Sequence, residues 1–179
     1  MSPRISDPKT LTAYHEAGHA AISLWLGVTF KTASIVPDEE SEGRVVAEFR
    51  RWFNPDTSSH PSQDELMRLM IHILLAGPEA ERRVAGRYDE VGAGSDWRNA
   101  SNLVGKLHYS ETAMGSLIQY SKAVVREAFD VKRCWSMVEV IAKQLLAREQ
   151  LSYRAIRRIV GDDAPLPRRW RVPVMELDL

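Results

Sequence analysis

Leu11–Leu26 reads LTAYHEAGHAAISLWL and decides how the first part of the chain folds. Its buried-type positions recur at helical spacing, namely Leu11, Tyr14, His15, Gly18, Ile22 and Leu26. Asp7-Pro8 has the residue types of a helix start, and Gly27 can end the helix. The stretch therefore predicts a buried, largely apolar helix.

Two histidines and a glutamate lie inside this apolar helix, as the motif H-E-x-x-H at His15, Glu16 and His19. Residues four apart share a helix face, so both imidazoles can bind one zinc ion. Glu16 can then take the proton of a metal-bound water as that water attacks a carbonyl. A chance copy of so short a motif is the alternative, but buried polar side chains are costly unless something engages them.

A catalytic zinc usually has a third protein ligand, which the motif does not supply. The pattern H-E-x-x-H-x-x-G-x-x-H does not apply, because Ile22 and Trp25 stand where it requires Gly and His. The other histidines lie in a polar loop, in an apolar helix and at a helix end, and they are His60, His72 and His108. The candidate carboxylates are Glu79, Glu81, Asp89, Glu90 and Asp96.

These carboxylates also have ordinary structural explanations. Glu79 and Glu81 can pair with the arginines that follow them, and Asp96 has a favourable position in the first turn of a predicted helix. The residue pattern alone therefore leaves the third ligand open.

The rest of the chain predicts a small sheet followed by helices. Val28–Val36 alternates and pairs with Arg44–Phe49 as a hairpin, and Ser62 caps a central helix that ends near Ala85. Three more helical segments are predicted: Asp96–His108 capped by Ser95, Ser116–Glu149 with a break near Asp130, and Ser152 to Val160. We expect a mainly α fold with a small antiparallel β-hairpin (α+β), in one domain over 1–160 with an extended, proline-containing tail over 161–179.

Composition excludes several classes of function. The 179 residues are 44% hydrophobic and 27% charged, as in soluble globular proteins. Lys+Arg and Asp+Glu number 24 each, and this balance argues against binding to nucleic acid or to an anionic membrane surface. No segment approaches the ~20 apolar residues of a membrane span. The single cysteine, Cys134, cannot form an internal disulfide, so a cytoplasmic location is expected.

Three stretches carry a family resemblance in the same order along the chain: TAYHEAGHA at Thr12–Ala20, LAGPEAER at Leu75–Arg82 and VGAGSDWRNAS at Val91–Ser101. They resemble the zinc helix, the Gly-Gly-Arg-x-Ala-Glu-Glu stretch and the Gly-Ala-x-x-Asp-Leu-x-x-Ala-Thr stretch of the FtsH-type zinc metalloproteases. The resemblance extends over about residues 11–160. It implies that His15, His19 and Asp96 bind zinc and that Glu16 is the general base of peptide hydrolysis.

The chain also departs from that family. Trp97 replaces an aliphatic residue and Pro78 replaces an arginine. The family carries an ATPase module and membrane helices before its peptidase domain, whereas only about ten residues precede the helix pattern here, and no G-x-x-x-x-G-K-[ST] motif occurs. We therefore expect a stand-alone, ATP-independent zinc metallopeptidase that acts on peptides or unfolded protein segments. A homo-oligomer or a separate ATPase partner stays open.

Two alternatives to a peptidase are kept. One is a catalytically silent, zinc-bearing binding or regulatory module, and the other is a zinc hydrolase of a small substrate. Glu16 favours the peptidase, because a scaffold has no need of a base beside the metal. The strand at Arg44–Phe49 or its neighbour could pair with an extended substrate, and an ordinary hairpin is the alternative.

Overall fold

The computed structural model describes residues 7–37, 43–47, 63–89, 92–107, 110–161 and 164–165. Within these residues it has six helices and three short strands. In chain order they are α1 (Pro8–Trp25), β1 (Phe30–Ser34), β2 (Arg44–Ala47), α2 (Gln63–Ala85), α3 (Gly94–Lys106), α4 (Glu111–Asp130), α5 (Lys132–Arg148), β3 (Gln150–Ser152) and α6 (Tyr153–Val160). The prediction of a mainly helical fold with a small antiparallel sheet is confirmed.

Helix α1 has the start and end that its sequence predicts. The Asp7 side chain accepts a hydrogen bond from the Thr10 backbone N–H at 2.9 Å, which caps the first turn. Gly27 follows the last turn with a φ of 72°, a left-handed conformation that favours glycine. Helix α1 is buried over most of its length and packs mainly against α2 and α5.

Helix α2 is central, as its nearly continuous apolar surface predicts, and it ends at Ala85. It packs against α1, α3 and α4. The described interior has two apolar clusters: a larger one with residues of α1, α2, α4, α5, α6 and the sheet, and a smaller one with residues of α2 and α3.

The sheet has the strand order β2-β1-β3, with both pairs antiparallel. The predicted hairpin forms, with Ala33 opposite Val45, and β1 is shorter than the predicted Val28–Val36. The predicted end of the second strand, after Ala47, lies outside the described residues. Strand β3 was not predicted. It follows Glu149, which ends α5 in a left-handed conformation, and its three residues are extended because they pair with β1.

The boundaries of the later helices bring two corrections. Helix α4 begins at Glu111 and not at the predicted Ser116, because Ser110 caps it. Ser95 does not cap α3, because the helix already begins at Gly94 and Ala93 occupies the cap without a side-chain hydrogen bond. The predicted break near Asp130 is confirmed at Val131, and Ser152 caps α6 as predicted. The predictions for Ser62, His60, Glu90, His108 and most of the C-terminal tail lie outside the described residues.

No helix in the described ranges is both long enough and apolar enough to cross a bilayer.

Candidate metal centre

The structure brings His15, His19 and Asp96 together where α1 meets the first turn of α3. Asp96 Oδ2 lies 2.8 Å from His15 Nε2 and 3.4 Å from His19 Nε2. One ligand atom from each of the three residues lies within 4.8 Å of the others. Both histidines are buried, with 9% and 7% of their surface exposed. Their one-turn spacing on α1 and the position of Asp96 on a separate helix produce this cluster.

Each histidine is held through its other ring nitrogen. His15 Nδ1 donates to Glu81 Oε2 at 3.0 Å, and His19 Nδ1 donates to the Ile73 backbone carbonyl at 2.7 Å. Both acceptors belong to α2. These bonds determine the tautomer and orientation of the rings, so that both Nε2 atoms face Asp96, as in the outer shell of a metal site.

Helix α2 also approaches the imidazoles with its backbone at Gly77. A Cβ on Gly77 would lie 2.4 Å from His19 Nε2 and 2.6 Å from His15 Nε2, which is closer than real side-chain carbons approach other atoms. The lack of a side chain at this position is therefore what leaves room for the cluster. Sequence reasoning did not single out Gly77.

The charges of the cluster are strongly coupled. Burial lowers the pKa of His15, but its hydrogen bonds to Asp96 and Glu81 outweigh burial and raise that pKa to about 10. Burial opposes the ionisation of Asp96, yet the two histidines hold its pKa well below the usual range. These surroundings therefore favour positive charge beside the carboxylate of Asp96, and a bound metal cation would supply that charge in place of a proton.

Glu16 lies beside the cluster and is 4% exposed. Its Oε2 is buried without a hydrogen-bond partner among the described residues, and burial raises the pKa of its carboxyl. Gly43, directly before β2, lies so close that a side chain there would come within 2.8 Å of Glu16 Oε1. Glu16 is therefore a confined carboxylate with an unused acceptor next to the three clustered side chains.

These residues fit zinc. Ligand atoms bound at 2.0–2.1 Å in a tetrahedron lie about 3.3 Å apart, close to the separations of Asp96 Oδ2 from the two imidazole nitrogens. Two imidazoles and one carboxylate are ligands that zinc favours, and three protein ligands leave a fourth position for water. The orphaned Glu16 oxygen adds a proton acceptor beside that position.

The other described candidate ligands have partners outside the cluster or contact it from behind. Glu79 is ion-paired with Arg82 and Arg126, Glu81 contacts the far side of His15, and Asp89 accepts from the Gly92 backbone. The role of Glu81 was missed, although the sequence included it among the carboxylates. Whether Glu81 pairs with a neighbouring arginine or with His15 depends on how α2 crosses α1, which the sequence does not show.

His72 does not belong to the cluster. Its Nδ1 donates to the Arg68 backbone carbonyl at 2.6 Å within α2, and burial lowers its pKa. The residue is half-buried on a helix that packs against three others, and its Nε2 has no hydrogen-bond partner among the described residues.

Comparison with known proteins relates half of the chain to one group. It is 34% identical over 98 residues to the ATP-dependent zinc metalloproteases FtsH of Rickettsia felis and of Rickettsia conorii. The match covers 53% of this chain but 14% of each relative, so the chain spans about one seventh of the proteins it matches. No protein-family model matches the chain. Over this region the chain is related in sequence to FtsH.

Proposed function

We propose that this chain is a zinc-dependent metallopeptidase that hydrolyses peptide bonds in peptides or unfolded segments without hydrolysing ATP itself. The observation that carries the proposal is the meeting of His15, His19 and Asp96 beside the buried, unpartnered carboxylate oxygen of Glu16. The partial similarity to zinc metalloproteases supports the same reaction class.

In this proposal His15, His19 and Asp96 hold the metal. When bound, zinc would polarise the scissile carbonyl and lower the pKa of a water molecule toward ~7. Glu16 accepts the proton of the attacking water and later delivers it to the leaving amine. Glu81 and the Ile73 carbonyl keep both imidazoles oriented, and the surrounding apolar residues exclude bulk solvent.

The substrate is expected to approach along β2. This strand is an outer strand of the described sheet, and Gly43, directly before it, leaves no room for a side chain beside Glu16. An extended peptide that pairs with such an edge would run past the general base with its backbone in a fixed direction. We propose that the substrate is a peptide or an already unfolded segment and that the protein acts in the cytoplasm. A homo-oligomer and a separate ATPase partner are both kept as forms of assembly.

Metal removal tests the proposal directly. Zinc content would be measured by mass spectrometry, and cleavage of an unfolded protein would be followed with ortho-phenanthroline or its non-chelating meta isomer. We expect one zinc per chain, and loss of cleavage with the chelator alone, reversed by added zinc and unaffected by ATP. Stoichiometric zinc without cleavage of any unfolded substrate would instead indicate the silent zinc-bearing module.

Asp96→Ala tests the ligand set. We expect zinc affinity to fall by more than the roughly 10–100-fold that loss of an outer-shell partner costs, because a direct ligand is removed. Asp64→Ala is the matched control, since Asp64 also lies in the first turn of a helix but is exposed. Removal of the Asp64 carboxylate should change the free energy of unfolding by up to about 1 kcal/mol and leave zinc affinity unchanged. Equal zinc affinities in Asp96→Ala and wild type would contradict the assignment.

A further inference from the structure

A partly exposed ion-pair network surrounds the buried carboxylate of Glu79 on α2. Glu79 is 1% exposed and accepts hydrogen bonds from Arg82 Nε at 2.9 Å and from Arg126 Nε at 2.8 Å. The Tyr88 hydroxyl donates to the same carboxylate, and Arg126 Nη2 donates to that hydroxyl at 2.6 Å. Glu79 therefore ties α4 and the segment after α2 to one point on α2.

The network continues as aromatic contacts into α3. The Tyr88 ring meets the Trp97 ring edge to face, with centroids 5.4 Å apart. Lys122 Nζ lies over both rings, 5.3 Å from the centre of Tyr88 and 5.0 Å from that of Trp97. Such edge-to-face and cation–π contacts are attractive, so they favour one relative placement of Tyr88 and Trp97. Trp97 directly follows Asp96, so this chain of contacts ends beside the proposed ligand.

The start of α3 has no cap of its own. The side chains of Asp7, Ser110 and Ser152 cap α1, α4 and α6, whereas Ala93 at the start of α3 makes no such bond. Val131 at the start of α5 makes no such bond either. The first turn of α3, with Asp96 in it, is therefore held by contacts other than a side-chain cap. The Tyr88–Trp97 contact joins the segment before this turn to a residue within it.

We propose that Glu79, Tyr88 and Trp97 form a brace that holds Asp96 in register with the two imidazoles. The inference rests on the proposed function, because it assumes that Asp96 binds the metal. Helix α2 then positions all three proposed ligands. Glu81 and the Ile73 carbonyl orient the histidines, and Glu79 holds Asp96 indirectly, through Tyr88 and Trp97. The three brace residues are positioning residues and need no contact with the metal.

Trp97 allows a sharp test, because its indole Nε1 is buried without a hydrogen-bond partner among the described residues. Its ring therefore acts by packing, and Trp97→Phe keeps an aromatic edge for Tyr88 whereas Trp97→Leu does not. Tyr88→Phe keeps the ring but removes the hydroxyl from Glu79. Tyr120→Phe, at a tyrosine that is 63% exposed on α4, is the matched control.

Zinc dissociation constants would be measured by competition with a chromophoric chelator, under conditions in which every metal-free variant is folded. We expect Trp97→Leu to weaken zinc binding about 10-fold and Trp97→Phe to restore most of it. Tyr88→Phe should show a smaller loss, and Tyr120→Phe none. Visible absorption of the cobalt-substituted protein should change in Trp97→Leu, because displacement of Asp96 alters the ligand set.

Several results would overturn the brace. One is a Trp97→Leu variant that loses metal-free stability but binds zinc as wild type does, which would leave the network a purely structural role. Another is an equal loss of affinity in Trp97→Leu and Trp97→Phe. If Trp97→Leu fails to fold, Tyr88→Phe replaces it in the test, and a Tyr88→Phe variant with wild-type zinc affinity would overturn the brace. Failure of wild type to bind zinc would instead overturn the proposed function itself.

Discussion

Glu16→Gln is expected to keep one zinc per chain and to lose peptide hydrolysis by a factor of about 10²–10⁴, the usual contribution of a general base. Glutamine has nearly the shape of glutamate, so it fits the confined site against Gly43. It cannot accept the proton of the attacking water. The two imidazoles and Asp96 keep their contacts, so the metal should stay.

The measurement pairs zinc content with the rate of cleavage of an unfolded substrate. Glu127→Gln is the matched control, since Glu127 is an exposed glutamate on α4 and its replacement should leave both quantities unchanged. Cleavage by Glu16→Gln at the wild-type rate would show that Glu16 is not the general base. Loss of zinc in this variant would give Glu16 a role in metal binding instead.

Gly77→Ala is expected to abolish zinc binding in practice, with an affinity loss of at least about 100-fold, the upper end of what outer-shell changes cause. The new Cβ would stand 2.4 Å from His19 Nε2. The imidazoles cannot easily move away, because their Nδ1 atoms are held by Glu81 and the Ile73 carbonyl. The added methyl group therefore occupies space that the metal ligands need.

Helix propensity predicts the opposite effect of a glycine-to-alanine change on stability, so a loss of zinc binding at Gly77 can be assigned to steric conflict. Alanine is a better helix former than glycine by about 1 kcal/mol, so the substitution should stabilise a helix where space allows. Gly115→Ala on α4 is the matched control, because a Cβ there meets no atom within 4 Å. We expect it to raise the free energy of unfolding and to leave zinc affinity unchanged. Wild-type zinc affinity in Gly77→Ala would contradict the location of the centre.

Local sequence patterns predict much of the fold. The capped start of α1, the end of α2 at Ala85, the break between α4 and α5 and the cap of α6 follow from residue spacing and a few polar or glycine side chains. The start of α3 was misplaced because Ser95 has the residue type of a cap but lies after the helix has begun. Strand β3 was missed because three residues carry no periodicity of their own.

The sequence itself determined that His15 and His19 lie together, because residues four apart on a helix share a face whatever surrounds it, and it also placed Glu16 next to His15. The third candidate ligand did not follow from spacing. Three carboxylates lie close to glycines and arginines in the sequence, namely Asp96, Glu79 and Glu81, and only the family resemblance favoured Asp96.

Only the tertiary structure distributes these carboxylates among three roles. The crossing of α2 over α1 places Glu81 on Nδ1 of His15 and turns Glu79 toward Arg126 and Tyr88. The packing of α3 brings Asp96, among the carboxylates that the structure describes, up to both Nε2 atoms. It also places the bare backbone of Gly77 where a side chain would fill the centre. These contacts join residues on different helices, so they depend on helix packing, which no local pattern in the chain encodes.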